Sequence, residues 1–235
     1  TVLNDKFIAE QACEAVTLDG QQISLLLNAG LDLNTESVST VLCDGVGLYR
    51  TEAWFMQKGQ FPSQVDQENW YRQVLESYYP APVVMRTLDI GGDKVLDYFD
   101  ITEDNPFLGW RGIRVTLDHP ELFLDQLKAM IKANMGLGNL KIMLPMISGT
   151  EEVDESLALL SQAYLELEEQ HPDKVIERPE VGVMLEVPSS VFMLPEWSKK
   201  VDFCSVGSND LTQYLLAADR NNACVSNEDL EVTPN

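Results

Sequence analysis

Residues 181–189 read VGVMLEVPS, an apolar run whose only charged residue is Glu186. A strand that is apolar on both faces leaves no side for water, which is typical of a parallel sheet covered by helices. Five similar runs recur along the chain: QISLLLNAG (22–30), VGLYRTE (46–52), PVVMRTLDI (82–90), LKIMLPMIS (140–148) and VDFCSVGSND (201–210). The pattern predicts six buried strands.

Helix signals fall between these strands. The clearest lies at residues 151–168, with one apolar stripe made of Val153, Leu157, Leu160, Tyr164 and Leu167. Thr150 and the acidic residues after it suit the start of this helix, because they can accept hydrogen bonds from free backbone N–H groups and favour the positive end of the helix dipole. Alternating strands and helices fit either an α/β barrel or a doubly wound sheet.

Two observations favour the barrel. No GxGxxG motif opens a helix after the first strand, whereas polar residues recur at the C-terminal ends of the strands, where barrel enzymes place their sites. The predicted fold class is therefore α/β, a (β/α)8 TIM-type barrel, with about six of its eight units recognised. We expect an N-terminal helix and lead-in segment at residues 1–20 and one barrel domain at residues 21–235, incomplete at its C-terminus.

Charge and composition exclude several function classes. The formal net charge of −22 argues against a surface for nucleic acid or anionic lipid. No apolar run approaches the roughly 20 residues that cross a bilayer, and the N-terminal residues do not resemble a signal peptide, so we expect a cytoplasmic location. Neither disulfides nor a zinc site is expected, because no CxxC pair occurs among the four cysteines, Cys13, Cys43, Cys204 and Cys224.

The polar residues at the strand ends are the candidate site. In a parallel barrel every strand points its C-terminal end at one mouth, so residues distant in sequence converge there. The mouth is expected to hold four arginines and two acids. The residues concerned are Asn28, Arg50, Arg86, Met146, Glu186, Asn209 and Asp210, with Arg111 and Arg220 in the segments beyond the third and sixth strands.

These residue types predict a chemistry. Converging arginine forks suit a small anion with several charges, such as a phosphate. Glu186 and Asp210 supply the hard oxygen ligands that Mg²⁺ prefers, with substrate and water completing its octahedron. The set therefore predicts metal-assisted phosphoryl transfer or enolate stabilisation.

Each residue also has a plainer interpretation. Arg50 taken alone fits a surface ion pair, and the glycines of RTLDIGGDK (86–94) could simply turn the chain. Asn209 and Asp210 could cap a helix. Glu186 is harder to explain in this way, because a carboxylate that ends an apolar strand needs water, an ion or a partner.

Several segments resemble the phosphoenolpyruvate-utilising enzymes: GVGLYRTE (45–52), RTLDIGGDK (86–94), NPFLGWRGIR (105–114), GVMLEVP (182–188) and SVGSNDLTQYLLAADR (205–220). Their order and spacing are most similar to Enzyme I, the phosphoenolpyruvate-protein phosphotransferase family. The segments LNAGL (27–31), MLEVPSSVFMLP (184–195) and DRNNACVSN (219–227) resemble its nitrogen-type branch. The resemblance covers roughly residues 20–227.

The resemblance implies roles for individual residues. It implies that Arg50 and Arg86 bind the phosphate of phosphoenolpyruvate, with Arg111 near the same end of the substrate. Arg220 and Asn209 would complete the substrate contacts. Glu186 and Asp210 would bind Mg²⁺, the implied cofactor. Lys94 matches a motif lysine and is assigned no catalytic role.

The resemblance also implies partners. In this family the phosphoryl group passes to a histidine on a separate domain, and a cysteine near the eighth strand protonates the enolate. Neither is recognised here, since His119 and His171 lie in turn-like contexts and Cys224 is not at the matching place. The implied partners are phosphoenolpyruvate, a histidine-bearing N-terminal domain and a histidine phosphocarrier protein, with a homodimer as the full-length assembly.

The isolated chain is accordingly expected to bind substrate with little turnover. Two alternatives stay open. One is a domain of the pyruvate phosphate dikinase or phosphoenolpyruvate synthase type, and the other is a non-catalytic ligand-binding or dimerisation module.

Overall fold

The computed structural model describes residues 15–30, 43–92, 94, 96–99, 103–219 and 222. Within them, six strands form one sheet whose order follows the chain, and all neighbouring pairs are parallel. The six predicted strands are confirmed. Their bounds are β1 (Leu26–Ala29), β2 (Gly45–Arg50), β3 (Val83–Arg86), β4 (Leu140–Leu144), β5 (Glu180–Leu185) and β6 (Phe203–Val206).

The helices alternate with the strands, as parallel connections require. They are α1 (Glu52–Met56), α2 (Gln64–Tyr78), α3 (Ile113–Asp118), α4 (Pro120–Asn134), α5 (Thr150–Gln170), α6 (Pro188–Phe192), α7 (Leu194–Trp197) and α8 (Ser208–Leu216). The long helices α2, α4 and α5 pack side by side over one face of the sheet. No helix in the described ranges is long and apolar enough to cross a membrane.

The sheet curls. Asn28 of β1 and Ser205 of β6 line the same cavity, although β1 and β6 are the two outermost strands of the sheet. An order that follows the chain, parallel pairing and curling are together the features of consecutive strands in a TIM-type barrel. The predicted fold class is confirmed.

Side chains along each strand alternate between the face covered by helices, where the core lies, and the inner face, where the site lies. In β3, Val83 and Met85 face the helices, whereas Val84 faces the inside of the curl. The inner cluster is small, comprising Val84, Met143 and Met184 with Leu48 and Phe203 against them. Because side chains alternate with a period of two, Arg86 follows Val84 onto the inner side.

The predicted helix over residues 151–168 is confirmed as α5, and Val153, Leu160 and Leu167 are buried in the core. At its N-terminus the prediction is confirmed for an acidic residue, Glu152, and wrong for Thr150. Thr150 does not cap the helix, and its buried hydroxyl has no hydrogen-bond partner. The Glu152 carboxylate instead accepts from the backbone N–H groups of the two residues before the helix, at 2.5 and 3.1 Å.

The connection from β3 to α3 is anchored by a second core. Trp54, Phe55, Leu88, Ile90, Leu96 and Val115 are buried there, with Phe99 and Trp110 packed against them. This core fixes a connection that carries Asp89, Lys94 and Arg111 towards the strand ends. Of the lead-in segment predicted at residues 1–20, the described part forms a turn closed by a bridge between Val16 and Gln22.

Candidate functional site

A cavity of about 590 Å³ lies at the C-terminal ends of the strands, where the sequence placed the site. Its lining includes five of the seven predicted substrate and metal residues: Arg50, Arg86, Glu186, Asn209 and Asp210. Arg111 lies outside the lining, and Arg220 lies outside the described residues. The other lining residues are Asn28, Leu48, Lys94, Met184, Ser205, Val206, Gly207 and Ser208.

Arg50 and Arg86 end adjacent strands in the same register. They are paired Cα partners in the parallel ladder between β2 and β3, so their side chains start from neighbouring positions on the cavity wall. Arg50 is half-buried and has no ion-pair partner among the described residues. Within the described residues, the Arg50 guanidinium is therefore available to a ligand from the strand position next to Arg86.

Arg86 is held from several sides. Its Nη2 pairs with Glu52 Oε1 and lies 3.0 Å from Asp89 Oδ2, while its Nη1 lies 3.7 Å from the Met184 sulfur. Burial would lower the pKa of Arg86, but Asp89 and Glu52 outweigh it and raise the pKa above its ordinary value. Its Nε is buried without a hydrogen-bond partner. Arg86 is thus a fixed cation.

Asp89 lies at the centre of the cationic cluster. It is fully buried and contacts three cations: Arg86, Lys94 through Oδ2, and Arg111 at 3.3 and 3.4 Å. Burial would raise the pKa of Asp89, but these three cations hold it well below its usual range. The carboxylate is therefore ionised throughout the physiological pH range.

Arg111 bridges two carboxylates behind the cavity wall. It is fully buried, and it donates from Nη1 to Asp210 Oδ1 at 2.8 Å while its Nε and Nη2 face Asp89. Burial lowers its pKa, yet the two acids raise it above its ordinary value. Asp210 stands in the first turn of α8, whose N-terminus has no side-chain cap. Asp210 is thus oriented by Arg111.

Glu186 follows β5 and is 1% exposed. Its Oε1 accepts the backbone N–H of Met146 at 2.6 Å. Burial, then the nearby charge of Asp89, raises the pKa of Glu186 to about 7, against the opposing effects of Arg86 and the Met146 N–H. A cation that entered the cavity would stabilise the ionised form of this carboxyl group.

Gly207 leaves room for the Glu186 side chain. A Cβ at Gly207 would lie 2.8 Å from Glu186 Cβ and 3.0 Å from its Oε2, closer than ordinary contact allows. The backbone of Gly207 has φ of −86°, which any residue can adopt. Glycine is required here for space, because the glutamate oxygen occupies the volume that a side chain would fill.

The structure corrects the expected charge of the mouth. Two acids were predicted at the mouth, whereas the described residues there also include Glu52 and Asp89, both buried. Each lies within three positions of a candidate arginine, Glu52 after Arg50 and Asp89 after Arg86. This closeness in the sequence was the signal from which the two additional acids could have been predicted. Lys94, which was given no role, contacts both acids and is 19% exposed at the cavity.

The donor set suits a hard cation that keeps several non-protein ligands. Glu186 and Asp210 line one cavity, and no group of three or more acidic, histidine or cysteine residues poised to hold a metal occurs in the part of the chain that the structure describes. Mg²⁺ is commonly held by one or two carboxylates, with water and phosphate oxygens as its other ligands. The residues present fit that pattern.

Residues 5–234 match the protein family described as "PEP-utilising enzyme, PEP-binding domain". The chain is 52% identical over 208 residues to the Escherichia coli (strain K12) protein named "Phosphoenolpyruvate-dependent phosphotransferase system", covering 88% of this chain and 28% of that protein. It is 42% identical over 214 residues to the phosphoenolpyruvate-protein phosphotransferase of Staphylococcus carnosus (strain TM300), covering 91% and 37%.

A third relative is multiphosphoryl transfer protein 2 of Escherichia coli (strain K12), which is 41% identical over 214 residues, covering 91% of this chain and 26% of that protein. The chain thus spans 26% to 37% of the length of these three relatives.

Proposed function

Because the chain belongs to the PEP-binding domains of the PEP-utilising enzymes, we propose that its cavity binds phosphoenolpyruvate (PEP) together with Mg²⁺ and presents the phosphoryl group to a histidine on another domain. The family predicted from the sequence motifs is confirmed by the match over residues 5–234. The relatives' names support the phosphotransferase alternative over a dikinase or synthase. The nitrogen-type branch stays a prediction.

The observation that carries this proposal is the registered pair of Arg50 and Arg86 in a cavity that also contains Glu186 and Asp210. Two guanidinium forks at adjacent strand ends can each donate parallel hydrogen bonds to phosphate oxygens. Asn209 adds an amide at the start of α8, where free backbone N–H groups also favour an anion. The cavity can therefore bind a small molecule that carries a phosphate and a carboxylate.

The carboxylates suit the metal. Glu186 and Asp210 would hold Mg²⁺, whose charge would stabilise the transferring phosphoryl group and the enolate that leaves. The raised pKa of Glu186 and the space left for its Oε2 over Gly207 support this role. The protein's own part is to orient the phosphate with Arg50 and Arg86 so that an incoming nucleophile meets it in line.

The acceptor is proposed to lie outside this chain. Both histidines, His119 and His171, are described, and neither lines the cavity. A histidine-bearing N-terminal domain, a histidine phosphocarrier protein as the next acceptor and a homodimer of the full-length protein belong to the same proposal.

The first experiment is calorimetric titration of the chain with PEP, with and without Mg²⁺. We expect binding that Mg²⁺ strengthens, and we expect Glu186→Ala and Asp210→Ala to lose that dependence. Lost charged contacts of this kind cost about 1.5–3 kcal/mol each. Lys200→Ala, which removes a surface ion pair with Asp154, is the matched control and should bind like wild type. Magnesium-dependent binding that survives in both acidic variants would place the metal elsewhere.

A pyruvate-coupled assay separates transfer from binding. The chain alone should form little pyruvate from PEP, because phosphoryl transfer needs a positioned nucleophile. The full-length protein that contains this chain should form pyruvate when the phosphocarrier is present. Binding without pyruvate formation in the full-length protein would favour a non-catalytic ligand-binding module.

A further inference from the structure

Asp89 and Glu52 are two buried acids directly behind the cavity lining, and neither has a role in the substrate or metal contacts proposed above. Both are buried, with Asp89 fully inaccessible and Glu52 2% exposed. Neither Asp89 nor Glu52 lines the cavity, yet both contact Arg86 and Lys94, which do. They therefore stand directly behind the cations that face a ligand.

Both buried carboxylates require cationic partners. A buried carboxylate carries a desolvation penalty of several kcal/mol that only close, well-oriented partners offset. Asp89 has three such partners on two different segments: Arg86 at the end of β3, and Lys94 and Arg111 on the connection that follows. One carboxylate thus ties together the three cations on this side of the cavity.

These contacts also fix the orientation of the Asp89 carboxylate. Asp89 accepts from Arg86 through Oδ2 and from Arg111 Nε through Oδ1, so rotation of its carboxylate would break both. The Arg111 fork then extends to Asp210 on α8. Asp89 therefore links the phosphate-binding side of the cavity to the carboxylate side through one intervening guanidinium.

Building on the proposed function, we propose that Asp89 is a positioning residue, which sets the directions of Arg86 and Lys94, the two cations it contacts in the cavity lining, and that Glu52 is a second support for them. Glu52 engages Arg86 and Lys94, and the structure shows no contact between Glu52 and Arg111. Among the described residues its buried Oε2 has no hydrogen-bond partner, so the contacts that Glu52 makes to these cations run through Oε1. Asp89 should accordingly matter more than Glu52.

Two opposing effects make this proposal testable. Removing a carboxylate makes the wall more positive, which favours any anion. Removing it also allows the cationic side chains to change orientation. Bidentate recognition of a particular anion depends on those orientations. A variant that lacks the Asp89 carboxylate should therefore bind PEP, which carries two differently placed anionic groups, more weakly, without losing affinity for a simple ion such as inorganic phosphate.

The test titrates wild type and Asp89→Asn with two probes, PEP and inorganic phosphate, in the presence of Mg²⁺. Asparagine keeps the volume and one accepting oxygen while removing the charge. Affinity for PEP should fall about tenfold or more, while affinity for inorganic phosphate should stay level or rise. Asp97→Asn, an exposed aspartate on the same connection, is the matched control and should bind both probes like wild type.

Other outcomes overturn the proposal. Tighter binding of both probes would mean that Asp89 only opposes anions, and unchanged PEP affinity would mean that it serves the fold alone. Absence of PEP binding by the wild-type chain would defeat the proposed function itself. If Asp89→Asn does not fold, Glu52→Gln decides the matter: it should shift the preference between PEP and phosphate in the same direction by a smaller factor, and an unchanged preference refutes the positioning role.

Discussion

The guanidinium of Arg111 donates to the carboxylate of Asp210 over 2.8 Å, although the two residues are 99 positions apart in the chain. Arg111 is on the connection after β3, and Asp210 is in the first turn of α8 after β6. The same guanidinium also faces Asp89. This contact joins two distant parts of the strand-end surface and makes the placement of Asp210 depend on a buried residue outside the cavity lining.

Arg111→Ala should destabilise the chain strongly. It would leave Asp89 and Asp210 with fewer cations in a buried setting, and removal of one partner of a buried pair costs about 3–5 kcal/mol. Urea denaturation followed by circular dichroism measures the free energy of unfolding. Lys200→Ala, which breaks an exposed pair with Asp154, should cost under about 1 kcal/mol. Similar losses in the two variants would show that the buried network contributes little.

Glu186 should make stability fall as pH rises from about 4.5 to about 7. The folded protein keeps the Glu186 proton up to a pKa of about 7, whereas the unfolded chain releases it near the ordinary glutamate pKa of 4.5. In that window the folded state binds more protons, so the free energy of unfolding decreases with pH. The lowered pKa of Asp89 adds nothing there, because Asp89 is ionised in both states.

Glu186→Gln checks this pH dependence. Its amide oxygen can still accept from the Met146 N–H, but the side chain no longer titrates. The variant should match wild type near pH 4.5 and exceed it at pH 7 by up to a few kcal/mol in unfolding free energy. Parallel curves for the two proteins from pH 4.5 to 7 would contradict the raised pKa.

Arg50→Lys and Arg86→Lys should weaken PEP binding nearly as much as alanine substitutions, by about 1.5 kcal/mol or more each. A compact ammonium cannot reproduce two parallel hydrogen bonds to one phosphate. Calorimetry measures the affinity, and a thermal melt checks that each variant is folded. Arg178→Lys, at a cleft beside the N-terminal ends of β4 and β5, is the control. Wild-type affinity in both cavity variants would place the phosphate elsewhere.

Gly207→Ala should reduce the magnesium dependence of PEP binding, because its Cβ would meet Glu186 Cβ at 2.8 Å and Oε2 at 3.0 Å. Overpacking of this kind costs about 1–3 kcal/mol of stability. Gly59→Ala introduces a methyl group with no neighbour within 4 Å and serves as the control. Titrations with and without Mg²⁺ measure the effect. An undiminished magnesium response would show that Glu186 can move away without loss.

The strands and the location of the site could be predicted from local patterns. Six apolar runs with polar residues near their ends were recognisable, and four of the six strands lie within those runs, while β2 and β5 each start one residue earlier. Glu186 was recognisable because a carboxylate at the end of an apolar strand requires a partner. The start of α5 was less predictable, since Thr150 and Glu152 both suit a helix start and only their backbone geometry selects Glu152.

The sequence by itself determined that this chain is an α/β barrel with arginines and acids at one mouth, because burial and alternation act on neighbouring residues. Only the tertiary structure determined which acidic side chain pairs with which basic side chain. Asp89 is 22 positions from Arg111, and Glu52 is 34 from Arg86, so their pairing depends on how the sheet curls and where the β3–α3 connection packs. Ion-pair energy varies with distance and burial, and neither quantity can be read from a linear sequence.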